Sequence, residues 1–128
     1  MCFRKTKRLQ IGFGVPFFNV YDKDGNTSEI AVRGNVNALT KNYKRFLKRN
    51  GYDSTDLSVF ENEIRSAIIP CVKQAVANAP RRFKLTPNEL DCKTEQIARE
   101  IKYDLAKILK KRYKVKLINI ELTAIDCY

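Results

Sequence analysis

The chain contains no histidine, and that absence removes every mechanism that needs an imidazole as base, proton shuttle or metal ligand. Ser-His-Asp and Cys-His arrangements go with it. The four cysteines, Cys2, Cys71, Cys92 and Cys127, lie tens of residues apart with no C-x-x-C pair, so a zinc site is not expected. A domain this apolar does not need disulfides, and reduced thiols are the expectation. Of the four, only Cys2 stands beside cations that could lower a thiol pKa, in the Arg4-Lys5-Lys7-Arg8 cluster. Cys71 reads as a small hydrophobe on a helix face, and Cys127 as lying beyond the last strand. No apolar run approaches the ~18 residues of a spanning helix, and Met1-Cys2-Phe3-Arg4-Lys5 lacks the apolar stretch of a signal peptide. The expectation is a soluble, unexported chain.

Acidic residues are also scarce, 14 against 25 Lys and Arg, which gives a net charge of +11 and a pI near 9.7. At 128 residues the chain forms one domain and buries roughly two thirds of its unfolded surface. The charge is polarised along it. Residues 1–52 hold 11 basic and 3 acidic residues, 53–105 hold 8 and 9, and 106–128 hold 6 and 2.

Residues 9–21 are aromatic and branched, and Asp24-Gly25 supplies the positive-φ position of a tight hairpin turn. Ile30, Val32 and Val36 then continue on a two-residue period. Pro16 cannot donate to a ladder, so the first arm is expected to be an edge strand, to break, or to bulge there. Gly12-Phe13-Gly14 is too short for a phosphate loop and reads as strand glycines. From Leu39 to Asn50 the pattern is helical, basic and amphipathic, with Thr40 as the expected cap and Asn50-Gly51 as the left-handed stop.

Leu57 to Ala79 places apolar residues at steps of three and four, including Ile64, Ile68, Val72 and Val76, as a buried helical stripe requires. Ser58 and Glu61 could form a capping box, Pro70 predicts a kink or two helices near Ile69, and Pro80 predicts the end of the segment. Thr86-Pro87-Asn88-Glu89 opens a helix running to about Tyr113, with a break expected near Asp91–Thr94. Its stripe is Leu90, Ile97, Ile101, Leu105 and Ile108. A final strand starts at Val115, alternating from Ile118 onward with Asn119, Glu121 and Thr123 on one face and Ile120 and Leu122 on the other.

Two stretches carry a family likeness. Tyr113-Lys114-Val115-Lys116-Leu117-Ile118-Asn119-Ile120-Glu121-Leu122-Thr123-Ala124-Ile125 resembles the pattern Tyr-Gly-Ile-x-Val-x-x-Val-x-Ile-x-x-Ile of the SPFH domain, also called band 7, shared by stomatins, prohibitins and flotillins. Ile11-Gly12-Phe13-Gly14-Val15-Pro16-Phe17, followed by Tyr21-Asp22 and Ile30-Ala31-Val32-Arg33-Gly34-Asn35-Val36, is similar to its virion-core-protein-like branch. The likeness spans residues 9–126, after a basic tail at 1–8. Lys41 follows Thr40 where the family commonly has Asp-Pro. Lys114 stands where it usually has Gly, so either the helix ends without a positive-φ residue or Lys114 adopts that conformation.

The resemblance implies an α+β domain, a small mostly antiparallel sheet packed against two long helices and one short basic helix. It implies a non-enzymatic scaffold without cofactor, homo-oligomeric, cytoplasmic and peripheral to a membrane. Of the membrane segment, coiled coil and zinc ribbon that usually flank the family's domain, the 128 residues include none, so the expectation is either a domain of a longer protein or a minimal member.

The plainest reading of the charge is solvation of helix faces. The functional reading is docking on anionic lipid or a membrane-bound protein through Arg4, Lys5, Lys7, Arg8, Lys41, Lys44, Arg45 and Lys48, each worth about 1 kcal/mol near the surface. In the family's architecture the hairpin arms and the final strand share a sheet, so the resemblance implies that Lys110, Lys111, Arg112, Lys114 and Lys116 join the same basic region. The alternative is nucleic-acid binding, with Tyr43 and Phe46 amid the basic cluster, but these rings share the apolar stripe and are expected to face the core. The acidic pairs Glu61/Glu63 and Glu95/Glu100 are spaced poorly for joint acid-base work on one helix face.

Overall fold

A computed structural model describes residues 6–22 and 24–128. The period-two segments form three strands, β1 (Lys7–Tyr21), β2 (Thr27–Thr40) and β3 (Val115–Cys127), in one antiparallel sheet of order β1-β2-β3. The helices are α1 (Tyr43–Arg49), α2 (Leu57–Phe83) and α3 (Thr94–Tyr113), with a 3-10 helix over Pro87–Lys93 leading into α3. The fold is therefore α+β, with two long helices and one short one. Cys127 belongs to β3 rather than lying beyond it, paired with Ile30.

At the hairpin, the Asp22 carboxylate accepts the backbone N–H groups of Asp24 (2.8 Å) and Asn26 (2.9 Å), and Gly25 takes φ +84°. Opposite Pro16 the register slips between Val15 and Phe18, so two β1 residues face one on β2. That is a bulge, on an edge strand, where the missing proline N–H is least costly. β3 carries two more irregularities, opposite Arg33/Gly34 and Asn37/Ala38.

One face of the sheet is core. Leu9, Ile11, Phe13 and Val15 from β1, Val32, Val36 and Ala38 from β2, and Leu117, Ile120 and Leu122 from β3 meet Ile64, Ile68, Ile101 and Leu105 from the helices, all buried. α2 packs along β1 and α3 along β3. Gly34 sits where Phe13 crosses: a Cβ there would lie 2.7 Å from Phe13 Cζ and collide with the Glu121 carbonyl. The other face carries Gln10, Asn35, Asn37 and Asn119, with Asn37 Nδ2 donating to Asn119 Oδ1 at 2.7 Å.

Several local expectations are corrected. Leu39 and Thr40 do not begin a helix; β2 continues through them, paired with Arg8 and Lys7 on one side and Lys116 and Val115 on the other. Asn42 is the N-cap residue of α1, and Thr40 is buried, its hydroxyl unpartnered among the described residues. α2 is one continuous helix through Pro70, which lies on its exposed side, where water can reach the Ser66 carbonyl that loses its N–H donor. Pro80 does not end it: α2 runs three residues further and closes at Lys84 (φ 55°), whose N–H reaches the Pro80 carbonyl. Because α2 starts at Leu57, Ser58 falls inside the first turn and donates to Asp56 Oδ1 (2.5 Å) instead of capping.

Other local readings hold. The Glu89 carboxylate accepts the Thr86 hydroxyl (2.7 Å) and N–H (3.3 Å) at the start of the 3-10 helix, and the long helical segment breaks at Lys93/Thr94. Gly51 has φ +78° after α1. α3 ends on Lys114 in the left-handed conformation (φ 56°), its N–H bonded to the Leu109 carbonyl.

Candidate anion-binding surface

Strand register assembles the basic end of the molecule. Lys7 pairs with Thr40, and Thr40 with Val115, so the start of β1, the end of β2 and the start of β3 share one end of the sheet. Lys41 leaves β2 there and leads into α1, and α3 arrives there through Arg112 and Lys114. Residues more than a hundred positions apart thus meet.

An aromatic block holds α1 in place. Phe46 packs against Phe60 (ring centroids 5.4 Å) and Tyr113 (5.2 Å), and Tyr43 lies 5.9 Å from Phe60. The Tyr113 hydroxyl donates to the Glu63 carbonyl at 3.1 Å. Tyr43 and Phe46 are half-buried in these contacts, as the apolar stripe predicted. Asn50 Nδ2 closes the other end of the helix on the Phe46 carbonyl at 2.8 Å.

Three clefts run across this end. Lys7, Lys41, Lys44 and Arg45 line one of about 590 Å³; Arg45, Arg49, Arg112 and Lys114 line a second of about 370 Å³; Lys110, Lys114 and Lys116 line a third of about 460 Å³. The first two share Asn42 and Arg45, and the last two share Lys114, so the surface is continuous. No aspartate or glutamate lines any of the three. Ion pairs among the described residues lie elsewhere, Arg33–Asp126 at 3.9 Å and Arg82–Glu100 at 2.8 Å. The Glu63 carboxylate accepts the Tyr52 hydroxyl at 3.0 Å, which raises the Tyr52 pKa above its ordinary value through that hydrogen bond and the nearby charge.

Of the eight candidate residues, the structure brings Lys7, Lys41, Lys44 and Arg45 together around one cleft. Arg8 is exposed on the sheet, paired with Leu39, and Lys48 is exposed on α1; neither lines these clefts. Arg4 and Lys5 fall outside the described residues. Arg49 and Arg112 line the second cleft but were not among the eight. The signal for Arg49 was its i,i+4 spacing from Arg45, whereas nothing local points from Arg112 to α1.

The remaining polar groups offer less. Burial pushes the Cys71 thiol pKa up, Asp104 adds to this and Arg112 opposes it, so the thiolate that a nucleophile needs is disfavoured. Glu100 is held by Arg82, and among the described residues no group of three or more Cys, Asp or Glu is placed to hold a metal ion. No described helix is long and apolar enough to cross a membrane. Chemically, the basic end can neutralise several anionic oxygens at once, with Arg forks giving paired bonds and Lys giving point charges. No family model and no curated protein matches the chain.

Proposed function

We propose that the protein is a non-enzymatic scaffold domain, SPFH-like as its two end sequences suggest, which docks through its basic end on an anionic membrane surface and associates with further copies of itself at the cytoplasmic face. The observation that carries docking is the continuous run of clefts lined by Lys7, Lys41, Lys44, Arg45, Arg49, Arg112 and Lys114 without one carboxylate. Uncompensated charge on one end of a domain is attracted to anionic headgroups by about 1 kcal/mol per residue near the surface, so four or five give useful affinity. Membrane docking is favoured over nucleic-acid binding by the aromatic residues. Tyr43 and Phe46 are engaged with Phe60 and Tyr113 and are not free platforms for base stacking.

The test is co-sedimentation of the purified chain with phosphatidylserine-containing and neutral vesicles, with RNA as competitor in a parallel series. Retention on the anionic vesicles in the presence of RNA is expected, with loss of retention on combined charge reversal of Lys7, Lys41, Lys44 and Arg45. Preferential transfer to RNA, or binding that survives the charge reversal, overturns the docking reading. Self-association is read separately, as a mass above 14.8 kDa in light scattering.

A further inference from the structure

Two adjoining clefts at the basic end differ in chemistry. The larger has three lysines and Arg45; the smaller has Arg45, Arg49, Arg112 and Lys114. Arg45 and Arg49 stand one turn apart on α1, while Arg112 and Lys114 come from the end of α3, and the two elements are locked together beneath them by the Phe46–Tyr113 contact. The main chain at Lys114 is fixed as well, left-handed and tied to the Leu109 carbonyl. Packed structure therefore fixes the backbone positions of four cationic residues around one concavity, and no carboxylate lines it.

Size and floor add to this. At about 370 Å³ the concavity lies within the roughly 300–1,000 Å³ span of small-ligand sites. Phe46 and Tyr113 form part of its lining, and the Tyr113 hydroxyl is already given to Glu63. The lining thus offers guanidinium and ammonium groups to anionic oxygens around an aromatic floor. A phosphodiester carries a single charge and asks for one partner. A phosphomonoester carries about −1.5 to −2 with three acceptor oxygens, which matches a lining of three arginines and a lysine.

Resting on the docking reading, we infer that the cleft of Arg45, Arg49, Arg112 and Lys114 is a specific site for the multiply phosphorylated headgroup of a phosphoinositide, distinct from the general lipid attraction of the neighbouring lysine cleft. The monoester phosphates take the arginines and Lys114.

The probes are soluble inositol trisphosphate, by calorimetry, and two vesicle types matched in total charge, one with phosphatidylinositol bisphosphate and one with phosphatidylserine alone. Two double variants remove the same charge, Arg49→Gln with Arg112→Gln in the arginine cleft and Lys41→Gln with Lys44→Gln in the lysine cleft. All four residues are exposed, and an unchanged thermal melt verifies folding. Expected are binding of inositol trisphosphate, preference for phosphoinositide vesicles, and loss of about tenfold or more in trisphosphate affinity for the arginine pair, against less than about fivefold for the lysine pair. Both pairs should weaken phosphatidylserine binding alike. Equal trisphosphate losses for the two pairs, or no trisphosphate binding while phosphatidylserine vesicles are still bound, overturns the specific site and leaves docking intact. Trisphosphate binding without retention on either vesicle overturns the membrane source and the docking reading together. Displacement of inositol trisphosphate by RNA at equal phosphate concentration also overturns the inference.

Discussion

Gly34→Ala should destabilise the domain, although a glycine inside a strand ordinarily gains from a methyl group. Replacing Gly by Ala at an unstrained position stabilises by about 0.4–1 kcal/mol through the unfolded chain. Gly34 is not at positive φ, so that gain applies in full. Against it stands space: the new Cβ would lie 2.7 Å from Phe13 Cζ, while carbon atoms rest at about 3.5–4.0 Å, so the ring must retreat by about 1 Å. Phe13 is 6% exposed within the core, and the second obstacle, the Glu121 carbonyl, is backbone of the paired strand. Forced overpacking of this kind costs about 1–3 kcal/mol, or more where backbone must shift. The net effect is a loss of about 0.5–2.5 kcal/mol, roughly 2–10 °C in Tm for a domain of this size. Gly14→Ala is the internal control, because nothing lies within 4 Å of its Cβ, and it should be neutral or stabilising. Urea melts of the two variants read opposite signs. Adding Phe13→Leu to Gly34→Ala should recover part of the loss, a coupling of about 0.5–3 kcal/mol in a double-mutant cycle. If Gly34→Ala melts like Gly14→Ala, then Phe13 does not cross β2 at Gly34 and the β2–β3 register is wrong.

Thr40→Val should stabilise by about 1 kcal/mol, since it removes a buried hydroxyl that has no partner among the described residues and keeps the shape; destabilisation in a urea melt would mean that the hydroxyl is bonded. The raised Tyr52 pKa gives a pH signature. A group whose folded pKa is raised contributes stability below its unfolded value, about 10, and loses it as pH rises through the folded value. The stability difference between wild type and Tyr52→Phe should thus be constant near neutrality and shrink at alkaline pH, and a difference that does not change there refutes the Tyr52–Glu63 hydrogen bond.

Much of the fold is legible locally because the strands alternate and the long helices carry stripes. Pro16 announced its bulge and Thr86-Pro87-Asn88-Glu89 its helical start. The errors fall where two patterns overlap. Leu39 lies four residues before Tyr43 and fits a helix, yet Val36, Ala38 and Thr40 also alternate; the choice is made by ladder partners at Lys7, Arg8, Val115 and Lys116, which no local window contains. Pro70 and Pro80 signal breaks, but burial of Ile68, Val72, Val76 and Ala79 on one stripe keeps the helix whole. The cations of the basic end were legible as charge, and their convergence was expected only from the family likeness, because no local window contains both groups. Arg49 and Arg112 share a cleft only because the register of the sheet and the Phe46–Tyr113 contact bring α1 to the end of α3.

The Arg65 side chain donates from Nε to the Gly12 carbonyl at 2.9 Å, a bond from α2 to the middle of the outer strand. An edge strand is a template for further strands only where its main-chain groups are free. On β1 this carbonyl is occupied, and a few residues on the template is broken again at Pro16, which has no N–H to offer. The β1 edge is thereby interrupted at two points, Gly12 and Pro16, as a template for a further strand, which disfavours open-ended sheet growth along that side.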